Sequence, residues 1–250
     1  MKMKDLALVV VAIATLTLST QAQALTFDQN VTPDVIFGSG NANGGFTVDQ
    51  SGGVELGLRA KVRFPVPMNV FNSNGDGTYS HLSGNDAGRP LWSFEWTVNT
   101  DYAGTTGVKL DDLTYTLRID TNTSINKSFT TFDPIITAFA DHAIGDNSTG
   151  NGGGTNAVDP TDYANLIANN NVAQNSWRMD FFFPGLGPAF DPNVDATYDF
   201  ELAAFDGGVL VAETSMTVIV GAGGAVPEPT TFALGGLGLA LTLVSRRRRA

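Results

Sequence analysis

Val54-Glu55-Leu56-Gly57-Leu58-Arg59-Ala60-Lys61-Val62-Arg63-Phe64 is the stretch on which the fold class turns. Apolar residues take every second position, Val54, Leu56, Leu58, Ala60, Val62 and Phe64. Glu55, Arg59, Lys61 and Arg63 take the positions between. Successive side chains of a strand point to opposite faces, so this pattern predicts a strand with one face in a core and one charged face in water. Carboxylates of a neighbouring strand are the expected partners of the three cations.

Working outward, Trp92, Phe94, Trp96 and Val98 alternate with Ser93, Glu95 and Thr97. Leu113 to Ile119, Trp177 to Phe183, Thr197 to Phe205 and Leu210 to Val220 read the same way, and Gly45 to Asp49 is a shorter strand of this kind. Gly, Asn, Ser, Thr and Asp fill the connections, the mark of an all-β chain. About seven antiparallel strands, each with one apolar face, require a second sheet to cover them. The expected fold is therefore all-β, an antiparallel β-sandwich with jelly-roll-like or Greek-key wiring. One short helix is expected from Pro160 to Asn169: Asp159 can cap it, Pro160 suits its first position, and Tyr163, Leu166 and Ile167 share a face. Gly145 to Asn156, with almost nothing to bury, reads as a mobile loop.

Both ends have a separate character. Lys2 and Lys4, the apolar Leu6 to Leu18, and Ala22-Gln23-Ala24 have the order of a secretory signal peptide cleaved after Ala24; a retained N-terminal anchor is the alternative. At the other end stand Pro227-Glu228-Pro229, the apolar Phe232 to Val244, and Arg246, Arg247, Arg248 and Arg249. The two prolines hold Glu228 extended. The sixteen uncharged residues 230–245 would span roughly 24 Å as a helix, short of the ~30 Å hydrocarbon core, so a transmembrane helix there needs snorkelling arginines or a thinned bilayer. The arginines place that end on the cytoplasmic side of the inner membrane. A buried core helix is the other reading.

This tail resembles the PEP-CTERM sorting signal of exported bacterial proteins. The resemblance rests on Pro227, Glu228 and Pro229, the apolar run and the terminal arginines, and it covers about 25 residues. It implies recognition by an exosortase, a membrane protease-transferase acting near Pro-Glu-Pro, in Gram-negative bacteria that make exopolysaccharide. On that reading the tail is a substrate sequence and Glu228 is recognised, with no catalytic part of its own. Leu56 to Phe64 and the Trp-rich strand after it also resemble parts of PEP-CTERM proteins of unassigned activity.

Three segments follow: a signal peptide at 1–24, a β-sandwich domain at 25–225, and a sorting and anchor segment at 226–250. Of 25 acidic and 14 basic residues, Asp5 and Glu228 on one side and Lys2, Lys4 and the four tail arginines on the other lie outside the middle segment. It keeps 23 carboxylates and 8 cations, a net charge of −15, which repels nucleic acid and anionic lipid. Without cysteine there is no thiol catalysis, iron–sulfur cluster or Cys-ligated zinc.

Candidate chemistry is sparse. Asn72, Asn74 and Asp76 set oxygen side chains at alternate positions before Gly77, like the first half of a Ca²⁺ loop, but Ser83 stands where a bidentate Glu belongs. The competing reading is a glycine-rich turn. Asp111-Asp112, Asp141-His142 with Asp146, and Asp191 with Asp195 could bridge a structural Ca²⁺ or serve turns. No Gly-x-Ser-x-Gly, His-Glu-x-x-His or phosphate loop occurs, and no enzyme is expected. Trp92, Trp96 and Trp177 read as core by their phase; Tyr79, Tyr102 and Tyr163, nearer loops, are the better sugar contacts. Asn30, Asn122, Asn126 and Asn147 head Asn-x-Ser/Thr triplets, frequent by chance in this composition. The expected function is that of a non-enzymatic cell-surface or extracellular-matrix protein, anchored to the membrane in transit and associated with exopolysaccharide. The alternative is a carbohydrate-binding module with Ca²⁺-stabilised loops.

Overall fold

A computed structural model of the chain describes residues 24–64, 69–136, 141–181 and 190–224. The sorting segment, its transmembrane expectation at 230–245 and all of the signal peptide except Ala24 lie outside the described residues. Among the described residues no helix is long and apolar enough to cross a membrane.

In chain order the strands are β1 (Thr26–Gln29), β2 (Phe46–Ser51), β3 (Val54–Val62), β4 (Thr78–His81), β5 (Asn85–Asp86), β6 (Arg89–Pro90), β7 (Trp92–Asn99), β8 (Thr114–Asp120), β9 (Phe129–Phe132) and β10 (Ala143–Gly145). Helix α1 (Pro160–Asn169) comes next, then β11 (Val172–Trp177), β12 (Ala196–Asp206) and β13 (Val209–Val220). One sheet runs β1-β2-β3-β7-β11-β10, the other β4-β13-β12-β8-β9, and β5-β6 is a small separate ribbon. Every pair in the two sheets is antiparallel except β4 on β13, which is parallel. The chain is thus mainly β, with two sheets and one short helix, consistent with a β-sandwich.

A single core lies between the sheets. Leu56, Leu58, Phe94, Trp96 and Val98 meet Leu117, Ile119, Phe200, Leu202, Met216 and Val218 there. Phe94 and Phe200 contact ring to ring, with centroids 4.7 Å apart. The period-two reading of Val54 to Phe64 therefore assigns the core face correctly. The tight β12–β13 hairpin turns on Gly207 and Gly208, at φ 53° and 85°, the left-handed pair that a two-residue turn between twisted strands demands.

The helix starts and ends where its signals placed it. Asp159 accepts from the backbone N–H of Thr161 and of Asp162, and Pro160 follows at the first turn. Tyr163 is fully buried and its hydroxyl donates to the Ile135 carbonyl, which fastens α1 to the loop after β9.

Three expectations are corrected. The first concerns the polar face of β3, which is dry: Glu55 and Arg59 are 0 % exposed and Lys61 1 %. Residues 30–45, which have no periodicity, lie across the outer face of the first sheet as a strap. Ile36 N–H donates to Gln174 Oε1 and Thr32 N–H to Glu55 Oε1, while Asn99 Nδ2 donates to the Thr32 carbonyl. Val31, Val35, Ile36, Phe37 and Phe46 supply its apolar side. Gly57 permits this approach, since a Cβ there would sit 2.6 Å from Thr97 and 3.0 Å from Val31.

Under the strap, Arg59 stands opposite Glu95 in register, and its Nε donates to Glu95 Oε2 at 2.6 Å. Lys61 Nζ lies 2.6 Å from Glu95 Oε1. The expected cross-strand carboxylate is therefore present, but in a dry setting. Arg59 Nη1 donates to the carbonyls of Ala42 and Gly44, and the guanidinium is sandwiched between Phe46 and Phe71 at 4.1 and 4.2 Å. Burial lowers the pKa of Arg59 and of Lys61, and Glu95 opposes that fall in both.

The second correction is at Trp177. The strand stops there, and Met179–Phe181 is a 3-10 turn in place of a continued strand. Arg178 and Asp180 pair at 3.0 Å and the Arg178 guanidinium lies 4.4 Å from the Phe181 ring, contacts that curl this segment. Phe183 falls outside the described residues. The third is Gly145 to Asn156, which is tied down where a mobile loop was expected. Thr155 exchanges backbone hydrogen bonds with Ile144, Gly152 and Gly154 donate to the carbonyls of Val35 and Ile36, and Asn147 bonds to Asn99, Asp101 and Asn171.

Candidate functional site

The largest group of chemistry-bearing side chains left open to solvent gathers at the β4 edge of the second sheet. Residues 72–74 fold back on β4: Ser80 N–H donates to the Asn72 carbonyl and Asn74 N–H to the Thr78 carbonyl. Asn72 holds φ 52°, a left-handed conformation that Asn tolerates better than most side chains. This hairpin, the end of β4 and Gly221 just past β13 enclose a cavity of about 510 Å³. Asn72, Ser73, Asn74 and Ser80 line its rim, with His81 and Leu82 beside them.

His81 differs from its neighbours. It is 6 % exposed, stacks on Trp92 at 5.9 Å, and its Nε2 has no hydrogen-bond partner among the described residues. Burial alone pulls its pKa down to about 4, so the imidazole is neutral at physiological pH. Leu82, next to it, is 76 % exposed. No charged side chain lines this cavity.

The Ca²⁺-loop residues lie in the same hairpin, where their polar groups are turned on the hairpin itself. Asp76 Oδ1 accepts from the Thr78 N–H and hydroxyl, and those two bonds, hydroxyl first, hold its pKa below the usual carboxylate value. Asn74 Nδ2 donates to Thr78 Oγ1 and Ser80 Oγ. Asn72 reaches the cavity rim. Asp112, Asp146 and Asp191 likewise accept from nearby backbone N–H groups, the turn-serving role. Among the described residues no three of His, Asp and Glu gather as metal ligands would.

All three tryptophans are buried, as their phase predicts, so they form no sugar-stacking face. Tyr79 and Tyr163 are corrected as sugar contacts: both are 0 % exposed, and Tyr79 donates to the Gly45 carbonyl. Tyr102 keeps partial exposure. Asp141 and His142 are adjacent at 3.5 Å, but His142 is buried among Trp96, Tyr163 and Trp177. Its Nε2 is hydrogen-bonded to the Pro134 carbonyl, and Asn175 Nδ2 lies 3.1 Å from Nδ1. An Nε2–H tautomer satisfies both, and burial draws the pKa to about 4. His142 thus serves as a core hydrogen-bonding residue.

The sequence reading missed His81, Leu82 and Gly221 as neighbours of the Asn72 hairpin. The signal available was Tyr79-Ser80-His81, a strand-like alternation directly after the loop; nothing local announces that β13 brings Gly221 alongside.

Comparison with known proteins bears on the tail. The family model of the PEP-CTERM protein-sorting motif matches residues 225–249, so the chain carries that motif, on the segment holding Pro227, Glu228, Pro229 and Arg246 to Arg249. No curated protein and no solved structure matches the chain. The motif implies an exported protein sorted by an exosortase.

Proposed function

We propose that the chain is a non-enzymatic cell-surface or extracellular-matrix protein that an exosortase releases from the inner membrane among exopolysaccharide. The match of the sorting motif to residues 225–249 carries this reading. In it, residues 1–24 direct export and are removed after Ala24, residues 230–245 hold the chain in the membrane, and the arginines stay on the cytoplasmic side. Pro227 and Pro229 present Glu228 in an extended segment that a protease cleft can grip. What leaves the membrane is the acidic β domain, soluble by its charge.

The buried tryptophans weigh against a carbohydrate module built on an aromatic platform. The self-saturated Asn74 and Asp76 lend no support to its Ca²⁺.

Replacing Pro227, Glu228 and Pro229 together by alanine in an exosortase-bearing host tests the proposal. The variant is expected to accumulate at full length in the membrane fraction, with release to the surface or medium reduced at least tenfold. Release at the parental level would overturn it.

A further inference from the structure

We infer that the cavity at the β4 edge is a binding site for a neutral sugar unit of an oligosaccharide. The inference uses only the described residues and does not depend on how the tail is processed. Its volume, about 510 Å³, falls within the range of small-molecule sites. Its lining has the chemistry a sugar requires. Asn72, Ser73, Asn74 and Ser80 offer amide and hydroxyl groups that both donate and accept, matching ring hydroxyls. Leu82, 76 % exposed, offers an apolar surface to the C–H face of a pyranose.

His81 supplies the observation that the fold itself does not explain. A buried ring nitrogen without a partner costs free energy, and such groups are rare in folded proteins. Here that nitrogen belongs to a residue of the cavity wall. A ligand hydroxyl bonded to Nε2 would complete it. With the imidazole neutral and no ionised side chain in the lining, neither an anion nor a metal ion has a charged partner there. The hairpin is prepared in advance, because Asn74 is fixed by Thr78 and Ser80 and Asn72 is held by the Ser80 N–H to its carbonyl. Less ordering on binding leaves more of the contact energy as affinity.

The test uses the full chain in a zwitterionic detergent and saturation-transfer NMR with cellotriose, maltotriose, chitotriose and mannotriose, with trigalacturonate as the anionic arm. At least one neutral trisaccharide is expected to show transfer, to quench tryptophan fluorescence through the His81–Trp92 stack, and to bind more strongly than trigalacturonate. His81→Phe keeps the stacked ring without the nitrogen, and Asn72→Gly keeps the left-handed backbone without the amide. Each is expected to weaken binding at least tenfold while the thermal transition stays cooperative. No transfer from any neutral trisaccharide, preference for trigalacturonate, or unchanged binding in Asn72→Gly would each overturn the assignment.

Discussion

Glu95→Ala is expected to cost about 3–5 kcal/mol, because it strands the Arg59 and Lys61 charges in a dry layer. Natural domains of this size are stable by only about 5–15 kcal/mol, so the variant stands near the edge of folding. The cost does not mean that the triad itself is worth that much. Bringing three charges under the strap is expensive, and their attraction offsets that expense only while all three are in place. Replacing the set together (Arg59→Met, Lys61→Met, Glu95→Leu) is therefore expected to leave stability near that of the parent or above it. Urea denaturation reads both, with the midpoint falling for Glu95→Ala at unchanged slope. A Glu95→Ala variant within ~1 kcal/mol of the parent would match the value of an exposed ion pair and show that the layer is wet.

Acid is expected to unfold the domain well before its exposed carboxylates are titrated. His81 and His142 have folded pKa values of about 4, against about 6.5 in an unfolded chain. Between these values the unfolded state binds more protons. The stability that neutral burial confers is whole above pH 6.5 and is lost as pH falls toward 4. Each histidine accounts for on the order of 3 kcal/mol by this linkage. Glu55 and Asp133, whose pKa values burial raises, act in the opposite sense and offset part of the loss. Denaturation midpoints at pH 7.5, 6, 5 and 4.5 should fall steadily. In the His81→Phe, His142→Phe double variant the fall over this window should largely vanish, and a parental slope there would contradict the assignment.

How far the sequence reaches can be seen at β3. Alternation in Val54 to Phe64 told the two faces apart and located the core, because that pattern is local. It carried no word on what covers the other face. The strap at residues 30–45 has no period, and its hold on Glu55, Gln174 and Asn99 joins residues far apart in the chain. Helix α1 was legible to the residue because its cap and its Pro160 are adjacent in sequence. Trp177 to Phe183 misled, since Arg178, Asp180 and Phe181 fit a strand's alternation as well as they fit a turn closed by their own contacts. The β4 cavity shows the same boundary. Asn72 to Asp76 could be singled out, but Gly221 joins them only through the parallel pairing of β4 with β13. The tail was the opposite case, three adjacent elements whose order alone is the signal.

The mass of the protein as it stands outside the cell tests the sorting account most directly. Intact mass spectrometry of surface-exposed or released protein should show a chain beginning at Leu25 and ending near Pro227 to Pro229, with Arg246 to Arg249 gone. Surface protein that still carries those four arginines would contradict it.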